Sequence, residues 1–535
     1  MKLRLRFTRF AAAAIFGATF FYLFAPVMAI YGNTRVAVAV SLAIVSLGFA
    51  LHAFLAPTVR TKPAFWMASA VAFLALVLTL PFSFMNEVFG TYDITNLLIT
   101  LSENGTRDML QVGMNDFFPQ ISRYFFIGLA FVSAALVTVQ HTQFGRVFVL
   151  TACVLMIGMS QLTDYFLRQA LPDETDKLIP LERIETGPVF TALPETRKNI
   201  VIVYLESLEG TYRNLPSTKI AFEPFVRIED SALSFKNITQ VNGATYTIAG
   251  MVASQCGVPL LPRGLLNPRA VNRDRVGTIN GLQEFLTGIT CLGDLLAERE
   301  YNLSYINGSP LGFFSKGDFF RSHGYSTVRG LEDFPGWEDE PRRNDWGMDD
   351  DLLFERVQAE LSRLAAAPEP FVLTTLTIAT HGPDAFPDGS CATVGHPEIS
   401  LVPTAIACTG KHVHNLIDEL NRLGVLENTL VVLVSDHFGF RNTLKEELHD
   451  AADRRMFLTI IGMGQTEIMR VGTTLDIFPT ILELLGYELQ NDQANLGVSL
   501  LGDHPTLVEE LGLETLNQGI ANNTELQKLI WSTGQ

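Results

Sequence analysis

Basic residues are scarce in this 535-residue chain: 39 lysines and arginines face 56 aspartates and glutamates, a formal net charge of −17. That balance argues against a nucleic-acid partner, because binding a phosphate backbone requires a basic surface. Cysteines are few as well. There are five, and their separations lack the CxxC rhythm of a zinc ribbon. No internal repeat and no low-complexity tract is present, so the chain reads as ordinary folded units. Charge is thinnest in the first third, where long stretches carry almost none, and the mean hydropathy of +0.23 is high for a soluble protein.

A chain of this length is too long for one ordinary core and implies two or more structural units. Crossing a bilayer takes about 20 apolar residues in a helix. Ala11–Tyr31, Arg35–Leu55, Ala64–Met85, Tyr124–Gln140 and Val147–Leu162 approximate that requirement, the last two being shortest. Lys2, Arg4, Arg6 and Arg9 precede the first segment, as in a secretory signal. Four further apolar segments favour an uncleaved anchor. Arg60, Lys62 and Arg146 fall in the second and fourth loops, whereas the third loop, Asn86 to Arg123, is mainly acidic. The positive-inside rule then puts the N-terminus in the cytoplasm and everything after Asp164 outside. Residues 1–163 are expected to form a five-helix transmembrane domain, with 86–121 an extracytoplasmic loop. Ile94–Leu101 and Met109–Ile121 of that loop suit either an interfacial helix or plain connecting chain. Residues 164–197 read as a linker in which Pro172, Pro180, Pro188 and Pro194 discourage a long helix.

Cys153 lies within an apolar run and reads as a buried thiol. Cys256, Cys291, Cys391 and Cys408 fall in the globular part, and in an oxidising compartment an even set of four reads as two disulfides. Three pairings are possible. Cys256–Cys291 with Cys391–Cys408 is favoured over the other two, and four unpaired core thiols are the alternative.

From Lys198 onward, apolar runs alternate with helical patterns. The runs are Asn199–Leu205, Leu303–Ile306, Phe371–Ile378, Thr429–Ser435 and Met456–Ile461; Leu292–Arg299, Leu352–Ala365 and Thr404–Leu423 carry helical spacing. Continuous apolar strands between helices predict a mainly parallel sheet covered on both faces, over residues 198–535. Ligands of such sheets gather beyond the carboxyl ends of the strands. Three ends carry chemistry: Glu206-Ser207, Ser435-Asp436-His437 and Thr380-His381-Gly382. Hard oxygens plus an imidazole are a plausible first shell for a divalent metal. Taken singly, Glu206 reads as a cap or surface residue and His381 as structural; their joint occurrence points to a site. Asn242-Gly243-Ala244-Thr245-Tyr246-Thr247-Ile248-Ala249-Gly250 supplies a nucleophile candidate. Thr247 would stand at the positive end of a helix dipole, where it is either a nucleophile or merely a cap, with Thr245 as a second candidate.

These residues form familiar blocks. Tyr204-Leu205-Glu206-Ser207-Leu208-Glu209, the stretch Tyr246 to Gly257, Cys291-Leu292-Gly293-Asp294, Phe319 to Tyr325, Trp346-Gly347-Met348-Asp349-Asp350 and Ser435-Asp436-His437 closely resemble the phosphoglycerol transferases that decorate osmoregulated periplasmic glucans. They occur in that family's order over roughly Asn199 to Leu500. More distantly the pattern resembles lipoteichoic acid synthases and phosphoethanolamine transferases, all of the sulfatase/alkaline-phosphatase superfamily. The resemblance implies an α/β sulfatase-like domain behind a multi-helix anchor in the bacterial inner membrane. It also implies phosphatidylglycerol as donor and a periplasmic glucan or other glycan as acceptor.

Carried over residue by residue, the resemblance makes Glu206, Thr247, Asp436 and His437 the ligands of one divalent metal. Manganese is typical of the phosphoglycerol transferases, with zinc or magnesium as alternatives. Thr247 matches the nucleophile, and His381 matches a histidine that contacts the phosphoglycerol group. Lys316 falls where lipoteichoic acid synthases have an arginine, so the charge is kept without the guanidinium fork, and Phe314 replaces a tryptophan. Phosphoethanolamine transfer or phosphodiester hydrolysis on the same fold is the alternative chemistry. A sulfatase would need a Cys/Ser-x-Pro-x-Arg signature, which Cys256-Gly257-Val258-Pro259-Leu260 does not supply. A membrane-tethered binding protein with a relic site is the non-enzymatic alternative; the retention of all four ligand positions argues against it.

Overall fold

The computed structural model describes residues 174–532 almost throughout, except 262–277, 280–281, 383, 441, 452 and 522. Before that it describes parts of 11–20, 67–80 and 123–167. The chain divides into two compact units, of which the second contains Pro172–Gln535. In the first unit Phe16, Phe20, Phe131, Cys153 and Met156 share one buried apolar cluster. Among the described residues no helix is long and apolar enough to cross a membrane. Arg35–Leu55 and all of the expected interfacial stretches lie outside the described residues, as do parts of three other expected segments; most of the last, Val147–Leu162, falls in a described helix, Gln143–Gly158.

The second unit is built on eight strands: β1 (Asn199–Leu205), β2 (Leu233–Phe235), β3 (Asn302–Asn307), β4 (Thr327–Arg329), β5 (Phe371–Leu376), β6 (Thr429–Ser435), β7 (Leu458–Ile461) and β8 (Thr466–Ile468). Their order is β8-β2-β7-β6-β1-β5-β3-β4. From β6 to β4 every pairing is parallel. Only β7 runs against its neighbours, β6 and β2. The expected mainly parallel sheet is present, with an antiparallel strand toward one edge.

Every residue of β1 and β6 is buried, which explains why their sequences are continuously apolar rather than alternating. Along β1 the side chains alternate between two cores. Ile200, Ile202 and Tyr204 join one core with helices α1 (Thr247–Cys256), α2 (Lys316–Ser322) and α5 (Ile477–Leu484). Val201, Val203 and Leu205 join the other with α3 (Asp350–Ala365) and α4 (Val402–Arg422). Burying one apolar side chain on each face contributes about 1.5–3 kcal/mol per large residue, so the central strands anchor both layers.

Of residues 164–197, expected to be a linker, 174–197 belong with this unit. Phe190 and Ala192 pair antiparallel with Glu488 and Leu489, and Ile179 and Ile184 enter the core shared with α1. The prolines limit helix to short pieces; between them Ile179 and Ile184 are buried, while Leu178, Val189 and Leu193 stay exposed. Strands β2, β4 and β8 have three residues each, too short for a periodic signal in the sequence.

Candidate active site

The carboxyl ends of β1, β6 and β5 lie side by side, and each releases a functional residue at the same edge. β1 runs into Glu206, β6 into Asp436-His437, and β5 through Thr377 to His381. Ser207 takes a left-handed backbone conformation (φ 53°). Its amide donates to Asp436 Oδ1 at 2.9 Å and its hydroxyl to Glu206 Oε1 at 2.9 Å. The Glu206 amide donates to Thr377 Oγ1 at 3.1 Å, and Thr380 Oγ1 donates to the Glu206 carbonyl. Three strand ends are thereby cross-linked.

Thr247 opens α1. The N-cap is Tyr246, extended at φ −152°, so the Thr247 hydroxyl is not used as a cap. It donates instead to Glu206 Oε2 at 3.2 Å. The helix axis directs its positive end at this hydroxyl, and α1 packs through Gly250 on the backbone of Asp436.

Glu206, Asp436 and His437 are buried, and one ligand atom from each lies within 4.8 Å of the others. His437 Nδ1 donates to the Phe438 carbonyl at 2.7 Å, which turns Nε2 toward the carboxylates. Nε2 lies 3.3 Å from both Glu206 Oε1 and Asp436 Oδ2, yet neither Nε2 nor Asp436 Oδ2 has a hydrogen-bond partner. A ring lone pair facing two carboxylates is repulsive unless a proton or a cation lies among them. Burial alone would depress the His437 imidazole; Asp436 and Glu206 outweigh it and push it up to about 9. Burial, followed by the Glu206 charge, pushes the Asp436 carboxyl up to about 8. Burial opposes ionisation of Glu206 too, but the neighbouring imidazoles of His381 and His437 hold it below the ordinary carboxylate range. Two oxygens and one imidazole, buried and short of donors, fit a divalent cation, with Thr247 Oγ1 beside them as a third oxygen and fourth ligand.

His381 stands at the rim, its Nδ1 donating to the Gly382 carbonyl at 2.7 Å. Burial lowers its pKa, with Glu206 opposing, so the ring is neutral near pH 7 and Nε2 is a proton acceptor. Lys316 starts α2 after two left-handed residues, Phe314 and Ser315, and is buried with its ammonium 4.8 Å from the Phe313 ring. Its charge helps lower the His381 pKa.

Several contributors carried no assigned role in the sequence. Trp346 stacks on His381 with ring centroids 3.8 Å apart. Phe440 lies 4.3 Å from the His437 ring. Ring contacts run from Tyr246 through Phe314 and Phe313 to Trp346, making an aromatic wall between α1 and His381. The buried Asp350 accepts the amides of Ile378 at 2.8 Å and Ala379 at 3.2 Å, fixing the turn that leads to His381. The Trp346–Asp350 block was visible in the sequence, but its contact with residues 378–381 was not.

Cys256 is joined to Cys291 and Cys391 to Cys408. Two other acid–histidine pairs adjoin these bonds, Asp294–His323 at 2.8 Å and Asp388–His412 at 2.7 Å. With the sulfurs already bonded to each other, neither group offers a thiolate to a metal. They serve as acid–histidine hydrogen-bonded pairs beside the disulfides.

A sequence profile of the family described as Sulfatase matches residues 198–487. Phosphoglycerol transferase I of Xanthomonas campestris pv. campestris (strain B100) is 30% identical over 398 residues, covering 71% of this chain and 54% of that protein. Phosphoglycerol transferase I of Escherichia coli O6:K15:H31 is 28% identical over 444 residues, covering 79% and 55%. The chain therefore spans about half the length of the curated relatives it matches. Among solved structures, an alkaline phosphatase superfamily protein from Vibrio parahaemolyticus aligns with a TM-score of 0.48 at 19% identity, over 62% of this chain and 78% of that one.

Proposed function

The chain belongs to the Sulfatase family, and on that premise we propose that it transfers phosphoglycerol from phosphatidylglycerol to a glycan acceptor through a phosphoglyceryl-threonine. One observation carries the reading: Thr247 Oγ1 donates to Glu206 Oε2 at 3.2 Å, beside Asp436 and His437 atoms that have no hydrogen-bond partner of their own. Glu206, Thr247, Asp436 and His437 would hold one divalent cation, manganese by the family resemblance. When bound, that cation supplies positive charge that favours the threonine alkoxide and neutralises phosphoryl oxygens.

In the first step Thr247 Oγ1 attacks the lipid phosphorus, the bond from phosphorus to the diacylglycerol oxygen breaks, and diacylglycerol leaves with the proton Thr247 gives up. In the second, an acceptor hydroxyl attacks the same phosphorus and the threonine hydroxyl is restored. His381, neutral and with Nε2 open to protons, takes the acceptor's proton or binds a glycerol hydroxyl. Lys316 neutralises charge on the transferred group; electrostatic stabilisation of that kind provides most of the catalysis in phosphoryl transfer. The buried Lys316 cation also disfavours an ethanolamine ammonium, which supports glycerol as the head group.

The two disulfides support an oxidising location for this unit. A bilayer donor supports the anchored arrangement expected for residues 1–163: N-terminus cytoplasmic, catalytic unit periplasmic, acceptor a periplasmic glucan. The test is incubation with head-group-labelled phosphatidylglycerol and manganese, with and without glucan. Label is expected on Thr247 and then on glucan, and Thr247→Ala abolishes both. A fully active Thr247→Ala variant overturns the scheme, and release of free glycerol phosphate unaffected by glucan would make the enzyme a hydrolase.

A further inference from the structure

Glu209 follows Glu206 by three residues and is completely buried, yet it contributes nothing to the site directly. Its partner is Arg454: the guanidinium Nε donates to Glu209 Oε2 at 2.9 Å and Nη2 donates to Oε1. Between them lies one peptide unit's worth of polar groups. The Gly439 amide donates to Glu209 Oε1 at 3.1 Å, and Arg454 Nη2 donates to the Gly439 carbonyl at 3.0 Å. Both hydrogen-bonding groups of a single residue are thus held by the two ends of one ion pair. A β-carbon at position 439 would lie 2.6 Å from the Tyr212 hydroxyl, so only glycine allows the loop to come this close.

Gly439 is two residues beyond His437. Phe438, between them, has its ring 4.7 Å beneath the Arg454 guanidinium, and its amide donates to Gln240 Oε1 at 2.9 Å. Its carbonyl is the group that accepts His437 Nδ1. A shift of the 438–439 backbone therefore rotates the imidazole and moves Nε2 away from Glu206 and Asp436.

We infer that the Glu209–Arg454 pair is a positioning device for the cation site, clamping Gly439 so that the Phe438 carbonyl orients His437. The inference rests on the cation reading of Glu206, Asp436 and His437. A pair with a fully buried Glu209 and a partly exposed Arg454 is a costly way to add stability, since desolvating the carboxylate offsets much of the attraction. It is well suited to fixing geometry, because the guanidinium fork holds a carboxylate and a carbonyl at once. Partners that orient a metal-binding histidine are worth about tenfold to a hundredfold in metal affinity.

The test uses the metal-stripped 535-residue chain, with manganese binding read from the free-ion electron paramagnetic resonance signal and folding from the thermal midpoint. Arg454→Met is expected to weaken manganese binding about a hundredfold, and Arg454→Lys, which keeps charge but not the fork, about tenfold. Arg470→Met is the control: it breaks a 3.0 Å pair with Glu509 and is expected to lower the midpoint without changing the affinity. A folded Arg454→Met protein that binds manganese within twofold of wild type overturns the inference. If that variant does not fold, Arg454→Lys decides, and wild-type affinity in it overturns the inference equally. Wild-type protein that takes up no manganese overturns the cation reading itself, a separate result visible before any variant is compared.

Discussion

Gly250, in the first turn of α1, faces the backbone of Asp436 so closely that a β-carbon would lie 1.8 Å from the Asp436 carbonyl oxygen. The helix that presents Thr247 and the loop that presents Asp436 and His437 therefore meet backbone to backbone. Gly250→Ala must push them apart. Overpacking of this type costs about 1–3 kcal/mol or more, and a displacement of about 1 Å at a reacting centre costs about a hundredfold in rate. Transfer rate and thermal midpoint, measured together, are expected to fall together; an alanine variant with wild-type turnover contradicts the proposed packing of nucleophile on ligand loop.

Trp346 covers one face of His381 at 3.8 Å between ring centroids. Trp346→Ala removes that support and is expected to lower kcat about tenfold to a hundredfold by loosening the histidine. Trp346→Phe is expected to keep most of the activity. Manganese binding should be unchanged in both, because Trp346 does not touch Glu206, Asp436 or His437. Loss of metal affinity in Trp346→Ala would show that the ring acts on the ligands instead.

Chelation is expected to lower the thermal midpoint, and added manganese to raise it with the logarithm of its concentration, as for any ligand bound only by the folded state. Glu206→Gln is expected to abolish that dependence. Calorimetric scans across a manganese series check it, and a midpoint indifferent to both chelator and metal speaks against a resident cation.

Asp388 accepts from His412 at 2.7 Å and from the Ser390 amide at 2.9 Å. Burial opposes its ionisation, but these bonds hold its pKa at about 2, below the ordinary 3.8. A carboxyl depressed in the folded state adds stability that is present above the unfolded value and is lost as pH falls toward the folded one. The stability gap between wild type and Asp388→Asn is thus expected to be widest above pH 4 and to shrink between pH 4 and pH 2. Unfolding series at several pH values measure it, and a gap that stays constant removes Asp388 as its cause.

The disulfides close separations of 35 residues (Cys256–Cys291) and 17 residues (Cys391–Cys408). By the chain-entropy argument each is worth about 3–4 kcal/mol, the longer loop slightly more. Paired Cys→Ser variants compared by denaturant unfolding are expected to follow that order. The first bond also ends α1, the helix that Thr247 opens, at Cys256, so its removal is expected to lower transfer activity more than removal of the second.

The main strands were legible because strands covered on both faces must be continuously apolar, as Asn199–Leu205 and Thr429–Ser435 are. Glu206, Thr247, His381, Asp436 and His437 were legible because each follows such a strand or opens a helix. The three-residue strands β2, β4 and β8 were not, since three residues show no period. The contacts of Trp346, Asp350, Glu209 and Arg454 were not either: the first three fall in recognisable sequence blocks, but their partners lie tens to hundreds of residues away, beyond any local pattern.

Taken alone, the order of residues determined which stretches are buried strands, which side chains leave their ends, and that a threonine begins a helix. These are local properties of apolar periodicity and backbone preference. Only tertiary structure decided that Thr247 bonds Glu206 instead of capping its helix, and that residues 174–197 join the catalytic unit. It also decided that Gly439 sits between Glu209 and Arg454. Each of those depends on distances between segments far apart in the chain, which are set by how the two cores pack around one sheet.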